Sequence, residues 1–158
     1  MIAEAREAAL RLLDRQRRTR GDLARRLRDK GYEPSTIAET LDRLAEVGLV
    51  DDVEYARAYI AGRWGRRAAG WRKLEQDLRG RGVSAGDIAA ARERFAAEQG
   101  EAGPVDESAA ARRVVQQAAR RYASLDPRTR RQRLTALLLR RGFSYETIEQ
   151  IVRAGAEE

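Results

Sequence analysis

The side chains able to do chemistry in this 158-residue chain are arginines, aspartates and glutamates, because it has no histidine and no cysteine. Imidazole is the usual general base near neutral pH and a common metal ligand; thiolate is the usual soft ligand and a strong nucleophile. Their absence removes disulfides and thiolate metal sites and fits a reducing compartment. Carboxylate clusters are what remains for catalysis. Most acids, however, sit at helical spacing from a base, as Asp22 does from Arg26 and Glu39 from Arg43. That spacing makes solvated ion pairs. Asp51 and Asp52 are the only adjacent aspartates, and neither Gly-x-Gly-x-x-Gly nor Gly-Lys-Ser/Thr occurs. The expectation is a protein that is not an enzyme, with no cofactor and no metal.

Arginine is the chemistry left over. Lysine and arginine total 32 against 25 acids, a net charge of +7, and only Lys30 and Lys73 are lysines. A net positive charge favours polyanionic partners through summed Coulomb attraction and counterion release. The asymmetry is greatest between Ser108 and Tyr145, where Arg112, Arg113, Arg120, Arg121, Arg128, Arg130, Arg131, Arg133, Arg140 and Arg141 face Asp126 as the sole acid. Like charges at helical spacing repel unless something neutralises them. This stretch is therefore a candidate contact for nucleic-acid phosphates or an acidic surface. It shows no pattern of base readers, so contact with DNA would be sequence-independent.

A second stretch mixes structural and functional signals. In Gly48-Leu49-Val50-Asp51-Asp52-Val53-Glu54-Tyr55-Ala56, Gly48 suits a helix stop, and Asp51 or Asp52 suits the cap of the next helix. The aspartate not used as a cap is free to serve as an anionic contact. Further on, Gly65 to Gly70 reads as a basic loop containing Arg66 and Arg67, flanked by Trp64 and Trp71. Trp64 reads as core. Trp71 begins the next helix and is freer to lie near the surface, where an aromatic beside arginines can stack on a base or fill a partner's pocket.

The elements that must hold these residues are announced by a repeat. Leu23, Leu27, Gly31, Tyr32 and Ile37 recur 51 residues later as Leu74, Leu78, Gly82, Val83 and Ile88, and 60 residues after that as Leu134, Leu138, Gly142, Phe143 and Ile148. Leucines four apart share a helical face. The glycine, preceded each time by a base (Lys30, Arg81, Arg141), suits a left-handed helix stop. A second helix follows, capped by Ser84 or Ser144, or in the first copy by Glu33 ahead of Pro34. It buries Ile37, Leu41 and Leu44; Ile88 and Phe95; or Ile148, Ile151 and Val152. A further helix precedes each pair, roughly Ala3–Arg15, Val53–Trp64 and Glu107–Tyr122.

The expected fold is all-α: three tandem three-helix repeats forming an elongated, curved array, with units at 1–50, 51–98 and 107–155 and a linker at 99–106. No segment alternates like a strand. No apolar run approaches the ~18 residues of a membrane span, and Met1 to Asp14 mixes charges unlike a signal peptide. A cytoplasmic protein with no membrane partner is expected.

The block Gly48 to Ala56, followed by Gly70-Trp71-Arg72-Lys73-Leu74, Leu78 and Gly82-Val83, resembles the RecX family. The similarity runs from about Ala3 to Ala154, while Arg72-Lys73-Leu74 shifts an aliphatic position and the N-terminus is shorter than in many members. The resemblance implies a non-catalytic monomer that binds the filament of the recombinase RecA on DNA in recombinational repair. It would modulate that filament, most often by suppressing ATP hydrolysis, extension and strand exchange. It implies Asp51, Asp52, Tyr55, Arg63, Arg66, Arg67 and Lys73 as partner contacts beside Trp71, with the ten arginines of the third unit as a second patch.

The competing reading is a DNA-binding transcriptional regulator of helix-turn-helix type, since Leu23 to Leu44 holds two helices joined by a short turn. Its recognition helix would carry Glu39, Asp42 and Glu46 against Arg43, a balance that the major groove repels.

Overall fold

The computed structural model describes residues 1–66, 69–99 and 107–155, and for Gly65 and Arg66 the backbone only. Among the described residues there are nine α-helices and no strand: α1 Ile2–Arg15, α2 Arg20–Asp29, α3 Pro34–Glu46, α4 Asp52–Arg66, α5 Trp71–Gly80, α6 Ala85–Glu98, α7 Glu107–Tyr122, α8 Pro127–Arg140 and α9 Tyr145–Ala154. None is long and apolar enough to cross a membrane.

The repeat fixes how these helices end. Gly31, Gly82 and Gly142 have φ of 90°, 90° and 84°. In each copy the N–H of the next residue (Tyr32, Val83, Phe143) donates to the carbonyl of the second repeat leucine (Leu27, Leu78, Leu138) at 3.2, 3.0 and 3.2 Å. The glycine N–H donates to the carbonyl three residues back at 2.9, 3.0 and 3.0 Å. This is one Schellman stop used three times, and it folds the apolar residue after the glycine back over the leucine.

The starts are equally regular. Thr19, Asp51, Ser84, Asp126 and Ser144 each accept, through a side-chain oxygen, the backbone N–H three residues on, at 3.0, 3.0, 3.2, 3.0 and 3.2 Å. Such a cap contributes about 1 kcal/mol. Glu33 makes no side-chain cap bond; Pro34 at the first helical position of α3 has no N–H to leave unsatisfied.

By backbone proximity the chain divides into two compact units, Met1–Tyr59 with Leu78–Arg94, and Ile60–Asp77 with Phe95–Glu158. The boundary cuts α4, α5 and α6, so each middle helix contributes to both. In the first unit α1, α2 and α3 pack pairwise around Ala9, Leu23, Leu27, Ile37, Leu41 and Leu44. In the second, α7, α8 and α9 do the same around Ala111, Val114, Leu138, Phe143, Ile148 and Ile151. Burying a leucine, isoleucine, valine or phenylalanine side chain contributes about 1.5–3 kcal/mol, and Leu23, Leu27, Ile37, Leu138, Phe143 and Ile148 are the positions the repeat spacing marks as inward.

Three details differ from the sequence reading. α4 continues through Gly65 to Arg66, so the first two residues of the basic loop expected at Gly65–Gly70 are helical, and Arg67 and Ala68 lie outside the described residues. Trp64 packs against the α7–α9 core and anchors that last turn, outweighing the roughly 1 kcal/mol cost of a helical glycine. Leu134 is half-buried, whereas its equivalents Leu23 and Leu74 are 0% and 1% exposed. The linker expected at 99–106 lies, apart from Gln99, outside the described residues.

Candidate partner-binding surfaces

Local hydrogen bonding gives each residue of the central block a definite job. Asp51 is the cap of α4, with Oδ1 accepting the Glu54 N–H at 3.0 Å. Asp52 is not spare. Its Oδ1 accepts the Arg20 N–H at 2.9 Å, joining the first turn of α4 to the first turn of α2. Burial raises the Asp52 carboxyl above the usual aspartate range; the Arg20 N–H opposes that shift, and the charges of Asp87 and Asp51 add to it. The Tyr55 hydroxyl accepts a hydrogen bond from Arg81 Nη1 at 3.0 Å, and the Arg81 guanidinium lies 4.9 Å from the centre of the Tyr59 ring. Of the three, Asp51 is exposed and Asp52 and Tyr55 are half-buried.

Trp64 packs against the α7–α9 core as expected, and Trp71 is buried as well. Trp71 is only 7% exposed, and Trp64 is the half-buried one. Their rings stack with centroids 5.3 Å apart and planes at 28°. The surface position expected for Trp71 is corrected: stacking on Trp64 covers the face that sequence reasoning left open for a partner. Arg63 is half-buried; Lys73 is exposed, with Nζ 3.5 Å from Asp77 one helical turn on. Arg66 closes α4 with its side chain undescribed, and Arg67 lies outside the described residues.

Glu107, the first residue of α7, organises this end of the second unit. Its Oε1 accepts the Trp71 N–H at 2.9 Å, and its Oε2 accepts the Thr147 hydroxyl at 3.0 Å and the Ser144 N–H and hydroxyl at 3.4 Å each. One carboxylate thus holds the first turns of α5 and α9 beside α7. Sequence reasoning missed it because its partners are 36 to 40 residues away.

The arginines fall into two populations. Between residues 18 and 57 several are paired with carboxylates: Arg18 with Asp22 at 2.8 Å, Arg20 with Asp42 at 2.6 Å, Arg43 with Glu39 at 2.6 Å and Arg57 with Glu54 at 2.8 Å. In α7 and α8, Arg112, Arg120, Arg121, Arg128, Arg131, Arg133 and Arg140 are exposed and make no ion pair among the described residues. Arg112, Arg113, Arg120 and Arg121 are all exposed on α7, whose buried residues include Ala111, Val114 and Ala118. Two of the ten have backbone duties. Arg113 reaches the Trp64 carbonyl at 3.4 Å, and Arg130 donates to the carbonyls of Tyr122, Ala123 and Leu125 at 3.2, 3.1 and 3.0 Å, closing the end of α7. Arg141 is half-buried, and its carbonyl accepts the Gly70 N–H at 2.8 Å. The free basic surface is therefore carried mainly by seven of the ten arginines.

Known proteins are similar to this chain in sequence and in fold. Residues 5–44, 51–91 and 106–152 match the family models described as the first, second and third three-helix domains of RecX. The chain is 36% identical over 159 residues to the Regulatory protein RecX of Thermobifida fusca, covering 99% of this chain and 81% of that one. It is 34% identical over 157 residues to that of Streptomyces coelicolor, covering 99% and 80%. Its fold is similar to the crystal structure of RecX from Lactobacillus salivarius, with a TM-score of 0.82 at 23% identity over 97% of this chain and 95% of that one. A second crystal structure, of regulatory protein RecX, gives 0.79 at 27% identity, covering 95% and 72%. With all three helical domains matched in order, this chain belongs to the RecX family of regulatory proteins.

Proposed function

We propose that this chain is a non-catalytic regulator that docks on the RecA–DNA filament and inhibits ATP hydrolysis, filament extension and strand exchange by RecA. The observation that carries the reading is the set of exposed α7–α8 arginines without carboxylate partners. An array of uncompensated guanidinium groups costs self-repulsion in the free protein and is relieved by phosphates or by an acidic protein surface. Family membership supplies the regulatory role.

On this reading the chain acts as a cytoplasmic monomer of three units, 1–50, 51–98 and 107–155. Arg112, Arg120, Arg121, Arg128, Arg131, Arg133 and Arg140 approach DNA phosphates or acidic protomer surfaces without reading sequence. Asp51, Tyr55, Arg63, Lys73, Arg66 and Arg67 contact the recombinase. Trp71 and Asp52 act behind them as positioning residues.

The test is a titration of pure protein into RecA on single-stranded DNA. Hydrolysis of ATP falls at or below equimolar ratio if the reading holds. Unchanged hydrolysis with filaments verified by microscopy rejects it. Protection of one discrete duplex site at physiological salt would instead select the transcription-factor reading.

A further inference from the structure

A second concentration of arginine lies wholly within the first compact unit. The stretch before α2, the first turns of α2, the first turn of α4 and the end of α5 line a cleft of about 370 Å³. Arg17, Arg18, Arg25, Arg26, Arg79 and Arg81 line it with Tyr55, and Asp22 is the one carboxylate among its described lining residues.

The fold builds this cleft through a close backbone contact. A Cβ on Gly21 would stand 2.9 Å from both Cα and the carbonyl oxygen of Gly82, so only glycine lets the start of α2 lie against the turn after α5. The Thr19 hydroxyl, buried, donates to the Arg81 carbonyl at 2.5 Å and fastens the two segments together. Arginines 62 residues apart in the chain are thereby placed around one space.

Their partners divide them. Asp22 accepts hydrogen bonds from Arg18, Arg25 and Arg26 at 2.8, 2.7 and 3.1 Å, which consumes its capacity. Three guanidinium groups remain without a close carboxylate. Arg17, 73% exposed, is 4.0 Å from Glu54, which is already held in bidentate fashion by Arg57 at 2.8 Å. Arg79 is exposed and has no ion pair among the described residues. Arg81 is engaged by the neutral Tyr55 and Tyr59.

We propose that this cleft is a binding site for phosphate groups, with Arg17, Arg79 and Arg81 as the primary contacts. A phosphate offers three or more acceptor oxygens and more negative charge than a carboxylate, so it can engage several guanidinium groups at once, as Asp22 already does with three. The volume accommodates a pyrophosphate or a nucleotide-sized group. The source of the phosphate is either a nucleic-acid strand or a free polyphosphate. The site stands independently of RecA, and its test uses this chain alone.

The experiment measures binding of inorganic pyrophosphate by calorimetry and of a labelled single-stranded oligothymidine by anisotropy, at 0.15 M salt. The variant Arg17→Gln/Arg79→Gln is compared with Arg6→Gln/Arg28→Gln, which removes the same charge from exposed positions outside the cleft. The site predicts that the cleft variant weakens at least one phosphate probe by about tenfold or more while the control stays within about twofold. Loss for pyrophosphate assigns a free phosphate ligand, and loss for the oligonucleotide alone assigns a strand backbone. Three results overturn the proposal: no binding of either probe to the native chain, equal losses in the two variants, or a polyglutamate peptide that binds as tightly with the same losses.

Discussion

Replacing Glu107 by alanine should unfasten the ends of three helices in the second unit at once. Its bonds to the Trp71 N–H at 2.9 Å and the Thr147 hydroxyl at 3.0 Å have full-strength geometry for a charged acceptor, and such bonds contribute about 1.5–3 kcal/mol each. The two contacts to Ser144 at 3.4 Å lie at the long edge of hydrogen bonding and add little. Glu107 is half-buried, so water can partly replace it, and the lower end of the range applies. Glu107→Ala should therefore cost about 3 kcal/mol, equivalent to a fall in Tm of roughly 6–12 °C for a chain of this length. Glu107→Gln keeps one acceptor oxygen without the charge and should cost about half as much. Urea unfolding followed by circular dichroism gives the first number. Fluorescence of the stacked Trp64–Trp71 pair reports whether the start of α5 loosens first. A Glu107→Ala protein within about 0.5 kcal/mol of wild type would refute the assignment of Glu107 as the fastening residue.

Three further outcomes follow from the same geometry. Gly31→Ala should cost about 1–2 kcal/mol, the penalty of a left-handed alanine in open space. Gly142→Ala should cost considerably more in urea unfolding, because its Cβ would also stand 2.5 Å from Lys73 Cβ and 2.6 Å from Lys73 N; equal costs would contradict the close packing. At Asp22 burial disfavours the carboxylate, but the hydrogen bonds from Arg18, Arg25 and Arg26 together outweigh it and lower the pKa below the ordinary aspartate value of 3.8. That contribution is present above the ordinary range and lost as pH falls through the depressed folded-state value, so Asp22→Asn should lower the urea midpoint at pH 7 and lose that deficit as pH falls through that depressed value; a pH-independent deficit would contradict it. Finally, if the unpaired α7–α8 arginines meet phosphates, neutralising Arg112, Arg120, Arg128 and Arg133 should flatten the slope of log K against log salt for single-stranded DNA by about 0.7 per arginine, roughly 3 in all. An unchanged slope would mean those side chains stay in water.

What was legible in the chain is what depends on neighbours in sequence. The leucines four apart, the glycine after a base and the polar caps determine each helix's inward face and its ends. All three copies end in the same hydrogen-bonded stop. What was hidden depends on partners far along the chain. Trp71 looked free because nothing in its own segment covers it, whereas the Trp64 ring of α4 does so. Asp52 looked spare because its partner is the N–H of Arg20. Arg130 looked like one more surface cation, although its guanidinium closes the end of α7 on three carbonyls. The arginine cleft was invisible for the same reason: the contact that forms it joins Gly21 to Gly82. The charge asymmetry of α7 and α8 survived into the structure because a long run with one acid, itself a helix cap, has nothing local to pair with.

The central claim is that uncompensated arginines on α7 and α8 let this chain restrain RecA. Its most direct measurement is the rate of ATP hydrolysis by RecA on single-stranded DNA as protein is added, for the native chain, for Arg112→Gln/Arg120→Gln/Arg128→Gln/Arg133→Gln, and for a control with four exposed arginines of the first unit changed (Arg6, Arg11, Arg28 and Arg43 to Gln). The native chain and the control should suppress hydrolysis at similar concentrations, and the α7–α8 variant should need at least about tenfold more. A native chain that leaves hydrolysis untouched, or an α7–α8 variant as potent as the native protein, would contradict the account.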